Sequence, residues 1–299
     1  MKGGRLAKQI VRWTLPAGIQ AAIERQRARR ASNPCAAMEA VFERNKKFHS
    51  IHQGKRCFVL GSGPSINKQN LKPLRNEICF AGSHFLLHKD IKVIDPLYHV
   101  DAPTHPPFYD GFDALRKLSF ERFDKSYSER TIYFFGHSPY EYSVYNFLKQ
   151  NSQFKKENAY YLNYCRSPQL DESNYNSPDL WDICKPLFQP RSMIYCAIQV
   201  AAYMGFKKIY LLGCDHDYLL HVTRGRSLHF YEDEEGLDDS AGWPSTEEFF
   251  LAYYLRWKQY RLMRSCLEPR GCYIYDATEG GLLDAFPKVS LDKVLKQHD

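Results

Sequence analysis

The residues Arg56-Cys57-Phe58-Val59-Leu60 run straight into Gly61-Ser62-Gly63-Pro64-Ser65, and no other junction narrows the folds open to this chain as much. A short apolar run of this kind reads as a buried strand. The two glycines permit backbone angles closed to other residues and let another group approach the main chain. Pro64 suits the first turn of a helix, where its missing N–H costs nothing. Strand, glycine turn and helix start together present N–H groups and a positive dipole end, a setting that favours phosphate. Gly61, Ser62, Gly63 and Ser65 are therefore candidate ligand contacts. A GxG lacking its third glycine also serves as a plain tight turn.

The same alternation continues downstream. Strands are expected at 56–60, 78–82, 97–101, 131–136, 209–215 and 272–278, and helices at 110–123, 140–150, 192–204 and 246–268. Ser192 is a good N-cap and Gly205 a good stop for the third helix. Ser245 with Glu248 three residues on forms a capping box for the fourth. Strands alternating with helices imply an α/β fold, a Rossmann-like open and mostly parallel sheet with helices on both faces. Ligands in such sheets sit beyond the carboxyl ends of the strands. Those ends carry Ser62 and Gly63, Ser83 and His84, Asp101, His137, Asp215 to Asp217, and Thr278 to Gly281 with Gly280 among them. The stretch 151–190, rich in tyrosine and without clear periodicity, reads as a small helical lid inserted in the domain. The expected organisation is an N-terminal helical segment over 1–50 and one nucleotide-binding domain over 51–299.

Charge separates the same two parts. Residues 1–30 hold eight basic side chains against Glu24 alone, so the whole formal excess of +7 lies at the front and the body is neutral. A neutral body argues against a nucleic-acid partner, which would need a basic face. The front segment is amphipathic, with Leu6, Ile10 and Trp13 at helical spacing and Ile19, Ala22 and Ile23 beyond Pro16. A basic helix of this kind suits an anionic membrane surface, or else packs on the body with its charges in water. Charged residues interrupt its apolar stretches, so it does not read as a signal peptide, and no run is long enough to span a bilayer. The nine cysteines include no CxxC pair, which reads as reduced thiols in a cytoplasmic protein, at most peripheral on the inner membrane face. No Cys/His spacing suits zinc, and no metal site is expected.

The densest chemistry lies in "IYLLGCDHDYL", residues 209–219, where a buried strand ends in Gly213 and then Asp215, His216, Asp217 and Tyr218. Asp215 could hold an imidazole or a ribose, and a histidine is the natural base near neutral pH. Between two aspartates His216 is expected to stay charged, whereas His229, among Leu228, Phe230 and Tyr231, is expected to be neutral and the better base. His137 follows an apolar strand but leads into a plain turn. Arg224 and Arg226 could neutralise a phosphate, and Arg191-Ser192 at a helix start makes a second anion site. Asp215-His216-Asp217 also has the Asp-x-Asp form that holds a divalent ion in many glycosyltransferases.

Four segments in order, "VLGSGPS", "YCAIQVAAYMGFKKIYLLGCDHDY", "LHFY" and "YDATEGGLLDAFPKVSLDKVL", resemble the MptE-like family over roughly residues 55–295. That family takes its name from an archaeal 6-hydroxymethylpterin diphosphokinase and includes bacterial surface-polysaccharide and flagellin glycosyltransferase candidates. The layout is more distantly similar to bacterial sialyltransferases that use CMP-sialic acid. The resemblance implies that Ser62, Ser83 and Asp101 stand where those enzymes place asparagines against the donor. It puts Arg191 and Ser192 at the nucleotide, Thr278 to Gly281 on the cytidine side, and Tyr218 and His229 near two tyrosines that steady the departing phosphate. The sialyltransferase base is a later histidine, and none occurs here between His229 and His298. The implied function is a glycosyltransferase with a nucleotide-sugar donor, CMP-linked or other, and a glycan or lipid-linked acceptor, without a cofactor. The alternatives are a diphosphokinase using ATP and Mg²⁺ on Asp215 and Asp217, and a non-catalytic nucleotide-binding protein of an envelope assembly.

Overall fold

The computed structural model describes residues 36–103, 112–138, 143–154, 157–164, 178–220, 229–230 and 245–297. The strands are β1 (Arg56–Leu60), β2 (Cys79–Gly82), β3 (Tyr98–Asp101), β4 (Ile132–His137), β5 (Ala159–Asn163), β6 (Lys208–Leu212) and β7 (Tyr273–Asp276). They form one sheet in the order β5-β4-β3-β2-β1-β6-β7. Every neighbouring pair is parallel. The described helices are α1 (Ala36–Glu43), α2 (Ile91–Ile94), α3 (Phe112–Ser126), α4 (Val144–Gln150), α5 (Met193–Tyr203), α6 (Thr246–Leu267) and α7 (Leu291–Leu295).

Successive strand residues point to opposite faces, and both faces here are buried. Cys57 and Val59 of β1 join Ile209 and Leu211 of β6 in one core, against α5 and the end of α6. Phe58 and Leu60 join Tyr210 and Leu212 in the other, with α3, α4 and α7. This explains why these strands read as unbroken apolar runs rather than as alternating patterns. Burying each such side chain stabilises the fold by roughly 1.5–3 kcal/mol.

The chain path places the site. From β1 it steps outward through β2, β3 and β4 to β5, then crosses back to lay β6 beside β1 on the other side. Between β1 and β6 the order reverses, and the loops leaving their carboxyl ends diverge to leave a crevice. The returning segment carries α5, which packs beneath β1, β2 and β3 with its amino end at that crevice. Ser192 caps α5 by accepting from the Tyr195 amide, and Ser245 caps α6 by accepting from the Glu248 amide.

Two parts of the architecture differ from the sequence-based expectation. The stretch 151–190 contributes β5, a full strand at the sheet edge, where a helical lid was expected. Its Tyr-rich run "AYYLN" is a buried strand, and the residues at 165–177 lie outside the described ones. Pro64 begins only a five-residue 3-10 turn, Pro64–Lys68, rather than an α-helix. The polar residues Asn67, Lys68, Gln69 and Asn70 offer no apolar face that could hold a longer helix against the sheet. Residues 36–48 belong to the packed body, since Phe42 and Phe48 are core residues and buried Asn45 donates to the carbonyls of Tyr161 and Ile183. The basic segment 1–30 lies outside the described residues.

Candidate active site

A cleft of about 460 Å³ opens over the carboxyl ends of β1, β6 and their neighbours. Its β1–β6 end is polar, with Ser62, Arg191, Asp215 and Arg256 on its wall. Its β3 end holds Asp101 beside one face of α3.

The glycine turn after β1 is zipped to the turn after β6. The Gly61 amide donates to the Leu212 carbonyl at 2.7 Å and the Gly63 amide to the Gly213 carbonyl at 2.9 Å. Gly213 adopts φ +62, a left-handed angle that favours glycine and turns Asp215 back over β1. Asp215 Oδ2 then accepts from Ser65 Oγ at 2.9 Å and faces the Ser65 amide at 3.4 Å. A Cβ on Gly63 would fall 1.8 Å from that same oxygen, so close approach of Asp215 explains this glycine. The Gly61, Gly63 and Ser65 amides, expected to be free for a phosphate, are thus engaged by carbonyls and a carboxylate of the protein itself. Burial raises the Asp215 pKa, the bond from Ser65 opposes this, and nearby Asp217 adds to it.

His216 is buried and sits at φ +46, uncommon for a residue with a side chain. Its Nε2 lies 3.0 Å from the Tyr260 hydroxyl, which is 2.7 Å from Ser192 Oγ. One hydroxyl of α6 therefore links the β6 turn to the amino end of α5. Tyr253, two turns earlier, donates to the His216 carbonyl. Burial first, and then the Arg256 charge, pushes the His216 pKa well below the usual histidine range. This corrects the expectation that flanking aspartates keep it charged. The ring is packed against Tyr260 and Trp257 rather than facing the two carboxylates.

Arg256 stands 5.1 Å over the Tyr218 ring and donates through Nε to the Arg191 carbonyl at 3.2 Å. Gln259 accepts from the Arg191 amide at 2.9 Å. These contacts hold Arg191 at the head of α5. His229 reaches the cleft because Phe230 is anchored beside it, its amide donating to the Ser62 carbonyl at 3.0 Å.

The structure brings Gly61, Ser62, Gly63, Asp101, Arg191, Ser192, Asp215, His216, Tyr218 and His229 into one cleft. Three residues named from the sequence, Ser65, Thr278 and Gly280, do not line it. Ser65 stands behind Asp215 and holds it. Ser83 begins a 3-10 turn after β2. Thr278 is buried, its Oγ1 accepting from the Cys214 amide at 3.0 Å. Gly280 lies in an exposed turn at φ +86. Arg224 and Arg226 lie outside the described residues. Sequence reasoning missed Tyr253, Arg256 and Tyr260, whose spacing on α6 repeats one helical face; that recurrence was the available signal. Among the described residues no three His, Cys, Asp or Glu side chains cluster as metal ligands.

Fold and cleft define a Rossmann-like α/β protein with its ligand crevice at the switch point of a parallel sheet. The family profile described as 6-hydroxymethylpterin diphosphokinase MptE-like matches residues 36–220, more than half of the chain, and the chain belongs to this MptE-like family. A comparison with curated proteins finds no match.

Two outcomes follow from this geometry. Gly63→Ala should displace the Asp215 carboxylate from Ser65 and lower stability by at least about 1 kcal/mol; urea unfolding of the variant with unchanged stability would contradict the crowding. His216 is neutral when folded and titrates near 6.5 when unfolded, so the unfolded state binds more protons in acid. Stability should therefore fall below about pH 6.5 by up to roughly 1.4 kcal/mol per pH unit from this ring alone. His216→Asn, which tolerates the positive φ, should flatten the acid limb in urea unfolding at pH 5 and 7. An unaltered limb would contradict it.

Proposed function

We propose that this protein transfers a group from a nucleotide donor to a hydroxyl, and that the group is a sugar placed on a surface glycan or lipid-linked acceptor. The observation that carries the reading is the amino end of α5, where Arg191, Ser192 and Arg256 share one cleft with the carboxylates Asp101 and Asp215. A helix amino end flanked by two guanidinium groups favours phosphate. With the glycine-turn amides already engaged, the donor phosphates belong at α5, and Ser62 and Gly63 face the uncharged part of the donor. Charge growing on the departing phosphate is met by Arg191, Arg256 and the helix dipole without reorganisation. Tyr260 keeps Ser192 and the neutral His216 ring fixed beside it.

The second reading, pyrophosphate transfer from ATP to a pterin, is favoured by the description of the family. Mg²⁺ takes only one or two protein carboxylates when substrate phosphates supply the other ligands, and Asp215 and Asp217 on the cleft wall are that number. The ion would supply charge neutralisation on the phosphates. What supports the glycosyl reading over it is the basic, amphipathic N-terminus, which a soluble pterin substrate does not call for. No helix among the described residues is long and apolar enough to cross a membrane. Charges interrupt the apolar stretches of residues 1–30, which supports attachment lying on the surface, at the cytoplasmic face.

A thermal-shift series with CMP, UDP, GDP and ATP, each with and without Mg²⁺, tests the reading, since a ligand of the folded state raises its melting temperature. A pyrimidine or guanine nucleotide should stabilise without metal, and Arg191→Ala should abolish the shift. Stabilisation by ATP with Mg²⁺ alone would transfer the assignment to the diphosphokinase. Deleting residues 1–30 should leave fold and nucleotide binding intact and remove binding to phosphatidylserine vesicles. Equal vesicle binding by both forms would refute surface attachment.

A further inference from the structure

The β3 end of the cleft contains a polar chain away from the head of α5, built on Asp101, which the sequence resemblance sets against the donor. His99 of β3 has no exposed side-chain surface, and its ring lies among Phe123, Tyr133 and Phe135. Its Nδ1 is 2.9 Å from the Tyr127 hydroxyl, just beyond α3, and its Nε2 is 3.0 Å from Asp101 Oδ2. Asp101 lies two residues further along the strand, hence on the same face, and its side chain is 29% exposed where it lines the cleft. A polar ring among aromatics costs free energy that an apolar residue would avoid, unless its hydrogen bonds do something. Both nitrogens here are matched, one to a phenol and one to a carboxylate at the cleft wall. That is how a buried imidazole fixes the orientation of a reactive group.

We propose that Asp101 is the base that takes the proton from the acceptor hydroxyl, and that His99, backed by Tyr127, is the positioning residue that holds it for this task. The inference rests on the transfer reading above and adds the acceptor side to it. As the acceptor oxygen forms its bond to the electrophilic carbon or phosphorus of the donor, its proton passes to an Asp101 carboxylate oxygen. The bond from that centre to the nucleotide's phosphate oxygen breaks, and its electron pair leaves with the phosphate towards Arg191. Asp101 is open enough to return the proton to water afterwards. Of the two other cleft carboxylates, Asp215 is 6% exposed with its Oδ2 tied to Ser65, and Asp217 stands at the β6 end beside Tyr218, away from the β3 end. Of the cleft histidines, His216 is buried with Nε2 on Tyr260, and His229, the base expected from the sequence, enters beside Phe230 on the Ser62 side, away from the β3 end. Arg116 and Ser119 lie one turn apart on the face of α3 that lines the same cleft.

The test follows nucleotide release from CMP-, UDP- and GDP-sugars with lactose as acceptor, and AMP release from ATP and Mg²⁺ with 6-hydroxymethylpterin. In whichever pair the wild type turns over, Asp101→Asn should lower kcat at least about a hundredfold while donor affinity stays within about threefold. His99→Phe should lower kcat about tenfold with donor KM unchanged, and His99→Gln, which keeps a donor near Nε2, should recover most of it. The Asp101→Asn/His99→Phe double variant should be no slower than Asp101→Asn alone, as expected when one residue acts through the other. Overturning results are an Asp101→Asn enzyme with more than about a tenth of wild-type kcat, or donor affinity that falls in step with turnover. If the wild type turns over neither pair, it is the transfer reading that fails. Ring-nitrogen NMR then judges the chain by itself. An Nε2 signal of His99 that shifts with Asp101→Asn supports the hold; a ring indifferent to that change overturns it.

Discussion

Asp215 reaching across to Ser65 is the contact on which the rest of the site depends. It joins the turns after β1 and β6, the two strands between which the sheet order reverses. A hydrogen bond to a charged group contributes roughly 1.5–3 kcal/mol, but its structural consequence is larger than that figure. It requires glycine at 63, where a side chain would meet the carboxylate, and a left-handed Gly213 to turn the chain back. It also engages the serine that a phosphate would otherwise use. An acidic group of the protein thus stands where the glycine motif alone suggests a ligand's anion, and the cationic end of the cleft lies at α5 instead.

Helix α6 completes that end from far along the chain. Tyr260 touches both Ser192 and His216, and Arg256 bridges to the Arg191 carbonyl while lying against Tyr218. The cleft consequently has two guanidinium groups at the head of α5 beside a carboxylate tied to Ser65, a neutral buried imidazole and, separated from them at its β3 end, the partly exposed carboxylate of Asp101. Such separation suits a reaction in which negative charge appears on a leaving phosphate and a proton leaves a hydroxyl at the other end.

Much of this was legible in the sequence for definite reasons. Parallel strands buried on both faces are written as apolar runs, and glycine, serine and aspartate mark where they end, so six strands and the cleft floor could be read directly. Capping residues at Ser192 and Ser245 announced two helices. Strand β5 was not legible, because its tyrosine-rich run lies at the sheet edge without strong turn signals around it. Nor was the state of His216, since neighbours in sequence suggested charge whereas packing against α6 decides against it. Ser65 with Asp215, and Tyr127 with His99, are pairs that only the folded chain brings together. The alternation of His99 and Asp101 on β3 was visible, but its meaning depends on the phenol that packs behind it.

The account's central claim is that donor phosphate lies at the amino end of α5 while Asp215 keeps the glycine turn for itself. A crystal structure with a bound nucleoside diphosphate tests this most directly. The account predicts phosphate oxygens within hydrogen-bond distance of Arg191 and the first amides of α5, with Asp215 still on Ser65. Phosphates seated on the amides of Gly61 to Ser65, with the Asp215 carboxylate displaced from Ser65, would contradict it.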